Sequence, residues 1–194
     1  MPSIIRGDDD FDTAAPSGTT LISSTTVTTS VASVDFTGFD VSKYKRYLII
    51  LDAVKPATNS TSLRMRTSTD GGSTFDSAAD DYDSQCLYTV STAVAATFAV
   101  NDAILLAGPT AGHMVLNTAA DSGVAGHVNI INPHETNVTA IHGNLAYSGY
   151  QGGYTGSLVH GIRDSAADVD ALRFFFSSGN IASGTFEFYG IKEA

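Results

Sequence analysis

The sequence predicts an all-β protein, an antiparallel two-sheet sandwich of jelly-roll-like type preceded by an extended N-terminal arm. Three observations lead there. Charged residues make up only 15% of the 194 residues while hydrophobic ones make up 43%, so solubility rests on Ser, Thr, Asn and Asp; an average globular chain is about 25% charged. Thr and Val are frequent, and β-branched side chains pack well on a pleated surface but lose freedom in a helix. Finally, short apolar runs recur between Gly, Pro, Asn and Ser, and no segment keeps a 3.6-residue apolar period across three turns. A chain of this length suits one domain with a sizeable core.

Residues 1 to about 20 combine an acidic run (Asp8, Asp9, Asp10, Asp12) with Ala14, Ala15, Pro16, Ser17 and Gly18. Such a composition buries little apolar surface, so it is expected to be an arm, with 21–194 as the sandwich. Leu21 to Phe36 alternates hydroxyl and apolar residues, as a strand or a bent pair of strands with one wet face would. Tyr44 to Lys55 contains Leu48-Ile49-Ile50-Leu51, apolar on both faces, and reads as an inner strand covered on each side before Pro56 breaks it. Leu63-Arg64-Met65-Arg66-Thr67 alternates, sending Leu63 and Met65 inward and leaving Arg64 and Arg66 to face a partner's carboxylates. Asp76 to Asp83 has room for one helical turn. Further strands are expected at 85–90, 103–106, 114–117, 126–131, 139–147, 155–162, 170–176 and 185–191. Nothing repeats at a fixed period, which disfavours a propeller or solenoid.

The formal net charge of −10 repels phosphate backbones and anionic lipid, so nucleic acid and membrane surfaces are not expected partners. No stretch approaches the roughly 20 apolar residues of a membrane-spanning helix, and the first residues lack the apolar run of a signal peptide. Cys86 is the single cysteine; with Leu87 and Tyr88 beside it and no cationic neighbour, it reads as a buried, inert thiol. His113, His127, His134, His142 and His160 are scattered without metal-ligand spacing, and no nucleophile elbow or phosphate loop occurs. No catalytic residue, metal ligand or cofactor is therefore expected. The acids from Asp76 to Asp83 match no calcium loop and read as solvated loop residues.

Two segments carry recognisable local chemistry. Ser68-Thr69-Asp70-Gly71-Gly72-Ser73-Thr74-Phe75 resembles the Asp-box of sialidase-like propellers, Ser-x-Asp-x-Gly-x-Thr followed by an aromatic. In a single copy the motif implies only a tight turn, with Ser68, Asp70, Gly72 and Thr74 holding it and Phe75 packing beneath. The Gly/Tyr stretch from Tyr147 to Tyr154 is the candidate recognition loop, with Tyr147, Tyr150 and Tyr154 as flat aromatic contacts at an exposed end of the sandwich.

Leu21-Ile22-Ser23-Ser24-Thr25, Lys45-Arg46-Tyr47, Lys55-Pro56-Ala57-Thr58, Asp70-Gly71-Gly72 and the closing stretch from Ser178-Gly179 to Ile191 together resemble small β-rich virion proteins of tailed bacteriophages, of the tail fibre, spike or capsid decoration type. The resemblance implies a structural or adhesive component of the virion surface, assembled in the bacterial cytoplasm, and no enzyme. Alternatives of other classes are a free carbohydrate-binding module and a glycan hydrolase. The expected partners are copies of itself, most simply a homotrimer covering Leu48 to Leu51 and Phe174 to Phe176, other virion proteins, and a host surface glycan. The arm is the expected attachment point, gripping through Ile4, Ile5 and Phe11 with Asp8, Asp9 and Asp10 as charge partners.

Overall fold

The computed structural model describes residues 18–90, 93–108, 116–119, 122–134, 137–149 and 154–192. These form two antiparallel sheets, so the predicted fold class is correct. The larger sheet has eight strands in the order β1 (Thr19–Val27), β12 (Ile181–Ile191), β3 (Arg46–Pro56), β8 (Val124–Ile131), β9 (Ala140–Ser148), β10 (Tyr154–Arg163), β5 (Tyr82–Val90) and β6 (Ala93–Asn101). The smaller has four, in the order β2 (Ser33–Phe36), β11 (Ala171–Phe176), β4 (Leu63–Ser68) and β7 (Ile104–Ala107).

The core lies between the sheets. Period-two alternation sends Ile49 and Leu51 of β3, Val128 and Ile130 of β8, and Phe186 and Phe188 of β12 against Phe36, Leu63, Met65, Leu172 and Phe174 of the smaller sheet, all of them buried. Phe174 meets Phe36 edge-on, with ring centroids 6.1 Å apart at 78°, and lies 5.5 Å from Phe186 across the sheet gap. Such aromatic contacts add about 0.5 to 1.5 kcal/mol each beyond the area they bury.

Several expectations are revised. Leu21 to Phe36 is the bent pair, but its halves join different sheets, and β1 is exposed on both faces except at Ile22, Thr25 and Val27. The prediction that Tyr44 to Lys55 is covered on each side is wrong: Ile49 and Leu51 are buried inward, whereas Leu48 and Ile50 are half-buried on an uncovered outer face. No helical turn forms at 76–83; an Asp81 N–H bond to the Ala78 carbonyl (3.3 Å) closes a plain turn leading into β5. β6 was not anticipated, since its alanines lower apparent strand propensity. Of the expected strand at 114–117, the described Leu116 forms only isolated bridges to Thr61 and Gly149.

Candidate functional site

The smaller sheet packs on the inner face of the larger one, and among the described residues no further sheet covers the larger sheet's outer surface. What stands there follows from alternation on β8, β9, β10 and β5: inward residues such as Val128, Ile141, Val159 and Cys86 are buried, and their neighbours His127, His142, His160 and Gln85 are exposed. Strand register then aligns them. Asn129 stands opposite His142, His142 opposite His160, and His160 opposite Gln85, forming one polar row across four strands. A second row runs His127, Asn144, Leu158 and Leu87.

A shallow hollow of about 380 Å³ opens on this face, lined by Gln85, His142, His160, Ala140, Ile162 and Asp83. Directly opposed residues on neighbouring strands hold their Cβ atoms about 4.5 to 5.5 Å apart, so His142 and His160 stand side by side on this face. Oδ1 of Asp83 is buried at this hollow without a hydrogen-bond partner, a costly arrangement that marks it as ready to accept a donor. The surface offers donors, acceptors and apolar ground. It can therefore bind by area and hydrogen bonding; Ser84 also lines it, but its hydroxyl is buried and accepts the Leu105 N–H (3.4 Å). Among the described residues no group of three or more His, Cys, Asp or Glu side chains could hold a metal ion.

A second polar cluster sits at the start of β3, buried at Tyr47 and His134 and open to solvent at Asp168. The Tyr47 hydroxyl accepts the Asp40 N–H (2.8 Å) and lies 3.0 Å from Nε2 of His134, whose Nδ1 is 2.9 Å from Asp168 Oδ1. These partners assign the direction: the phenol donates to Nε2, and Nδ1–H donates to the carboxylate. Burial pushes the Tyr47 hydroxyl up to about 12, so it is a proton donor locked into structure rather than a nucleophile.

The segment from Ser68 to Phe75 is a turn held by its own side chains, but it joins β4 and β5 of different sheets and closes no hairpin. The Ser68 hydroxyl donates to Asp70 Oδ1 (2.8 Å) and accepts the Gly72 N–H (3.0 Å), while Asp70 accepts both the Thr74 N–H (2.8 Å) and the Thr74 hydroxyl (2.6 Å). The Thr74 bonds, followed by the one from Ser68, hold the Asp70 carboxyl down at about 2. Gly71 and Gly72 take φ of 72° and 84°, a region that favours glycine. Phe75 lies under the Arg173 guanidinium at 4.1 Å, and Arg173 is in turn held by Asp35 at 2.8 and 2.7 Å.

Other expectations fare differently. Tyr147 is not a tip residue: it points into the core with 4% exposure, and its hydroxyl accepts the Gly108 N–H at 3.1 Å. Alternation along β9 decides this, because Ile141, Gly143, Leu145 and Tyr147 share the inward face. Tyr154 is 87% exposed at the start of β10. Tyr150 lies outside the described residues, as do Ile4, Ile5, Asp8, Asp9, Asp10 and Phe11 of the arm. Arg64 and Arg66 share the outer face of β4 but already have an acid within the chain: both reach Asp102, and Arg66 also lies 4.8 Å over the Phe175 ring. Phe174 and Phe176 are buried and Phe175 is half-covered, so this run needs no second subunit to hide it. Cys86 is buried, which raises its thiol to about 11, as an inert cysteine requires.

The row of His142, His160 and Gln85 escaped sequence reasoning because each residue looks isolated along the chain. The signal that could have found it is parity: once 140–148 and 154–163 are accepted as hairpin partners, His142 and His160 fall opposite each other. No protein-family model matches the chain, and no curated protein matches it.

Proposed function

We propose that the chain is a structural component of the surface of a tailed-phage particle, working by assembly with copies of itself and other virion proteins and by adhesion to a host glycan, without catalysis. The observation that carries this reading is the outer face of the larger sheet, which no further sheet covers among the described residues. A broad outer face, polar in one row and mixed in the next, suits contact over an area more than chemistry at a point. The segments that resemble phage virion proteins also support it, since each is an ordered element of the fold: the Asp70 to Gly72 turn, Arg46 and Tyr47 at the start of β3, and β12 as the closing strand. In this proposal residues 1 to about 20 are the tether, and they lead into β1 at one edge of the larger sheet.

The test is location. In purified particles of the phage that encodes the chain, quantitative mass spectrometry and antibody-gold labelling are expected to find a fixed copy number on the particle exterior. Absence from washed particles overturns the proposal. A second reading, a free carbohydrate-binding module, is favoured by the hollow around Gln85, His142 and His160; saturable glycan binding by a soluble chain absent from particles would establish it instead.

A further inference from the structure

The larger sheet ends on two edges, β1 and β6. An edge strand presents unpaired N–H and C=O groups to any strand that meets it, and natural sheets blunt such edges with charges, proline, bulges or short strands. β1 has no charge over its nine residues, but a bulge at Leu21/Ser23 interrupts it. β6 has none of these protections. Its nine residues, Ala-Val-Ala-Ala-Thr-Phe-Ala-Val-Asn, include no charge and no proline, and its register with β5 runs unbroken from Val90↔Ala93 to Tyr82↔Asn101. Val94 is 67% exposed.

Two further observations say what the edge fits. β6 has substantial contact with no strand other than β5, so it overhangs the sandwich with its far side free among the described residues. Its sequence is also nearly palindromic about Thr97: run antiparallel to itself, Val94 falls opposite Val100, Ala95 opposite Ala99, and Thr97 opposite Thr97. A strand that reads alike in both directions is complementary to its own copy, which is the requirement for an isologous contact.

We propose that β6 pairs antiparallel with β6 of a second copy about a two-fold axis through Thr97, joining two eight-stranded sheets into one continuous sheet. An axis normal to the sheet keeps each face on its own side, so the uncovered faces of the two copies become one surface. The contact yields a dimer, in place of the trimer expected from the sequence. It does not depend on where the protein resides, so its failure leaves the particle-surface reading standing, and the reverse also holds.

Light scattering coupled to gel filtration is expected to give twice 20.2 kDa at micromolar concentration. The double substitution Val94→Lys and Ala96→Lys places charges on two exposed, outward positions of the edge and is expected to return the mass to 20.2 kDa with an unchanged circular dichroism spectrum. Amide exchange on the unaltered chain gives a second readout that needs no variant: protection over 93–101 should rise with protein concentration while that of β8 and β9 stays constant. A monomer, a trimer, a dimer that survives the lysines, or concentration-independent protection of β6 overturns the proposal.

Discussion

Replacing Tyr47 by Phe tests how much the cluster of Tyr47, His134 and Asp168 contributes to stability. The substitution keeps the ring, which stacks on Phe188 at 5.2 Å and 24° and meets Phe39 at 4.4 Å, so packing is preserved and only the hydroxyl is lost. That hydroxyl has two partners, the Asp40 N–H and Nε2 of His134, whose side chain is only 6% exposed. Leaving a buried polar group unpaired costs about 1 to 3 kcal/mol. Asp40 is half-exposed and its N–H recovers water, whereas the imidazole has less access, so the expected loss is about 2 kcal/mol. For a domain of this size that is a fall in Tm of about 4 to 8 °C. Thermal and urea unfolding should agree, and a cycle with His134→Phe should be non-additive by at least about 0.5 kcal/mol, because both changes break the same bond. A loss below about 0.5 kcal/mol, or strict additivity, would refute the claim that the cluster acts as a unit.

Phe174→Ala removes a fully buried ring that touches Phe36 and Phe186, and should cost about 3 to 5 kcal/mol in urea unfolding, a large part of a typical domain's stability. Asp70, an ordinary carboxyl at 3.8 when unfolded, is held near 2 in the turn; its contribution is therefore complete above pH 3.8 and lost as pH falls through about 2. The Thr74 amide resonance should report that midpoint, and a transition near 3.8 would contradict the geometry. Tyr154→Ala should leave the melting temperature unchanged, while Tyr147→Phe, which orphans the Gly108 N–H, should cost about 1 to 3 kcal/mol by the same measurement.

The sequence is most legible where a single local rule decides the outcome. Leu63 and Met65 turn inward and Arg64 and Arg66 outward because the strand period is two, and the Asp70 turn forms because Ser68, Asp70, Gly72 and Thr74 complete one another's hydrogen bonds within a few residues. Legibility fails where the answer depends on another strand. Nothing near Arg66 in sequence points to Asp102, and Leu48 looks like a core residue until the structure shows that the smaller sheet packs on the Ile49 side of β3 alone among the described residues. Tyr147 is the instructive middle case. Its neighbours in the loop give it the character of a contact residue, but the parity of Ile141 and Leu145 already fixes it inward. The face with His142 and His160 lies wholly in this non-local category, because only the register between β9 and β10 brings the two rings together.

The position of β12 has a consequence for how the chain reaches this structure. The strand that comes last in chain order sits between the first and third strands, pairing Thr19 with Ile191 on one side and Arg46 with Ile191 on the other. During synthesis, then, β1 and β3 emerge well before the strand that separates them and must wait until β12 has been made. Pairings this far apart in sequence carry a large loop-closure cost before any contact repays it, and they fold slowly. While it waits, the nascent chain exposes Ile49, Leu51 and an uncharged β1 to other chains, so yield should depend more on synthesis temperature and chaperone supply than final stability would suggest. Truncations that remove β12 should give aggregates in place of a smaller folded domain.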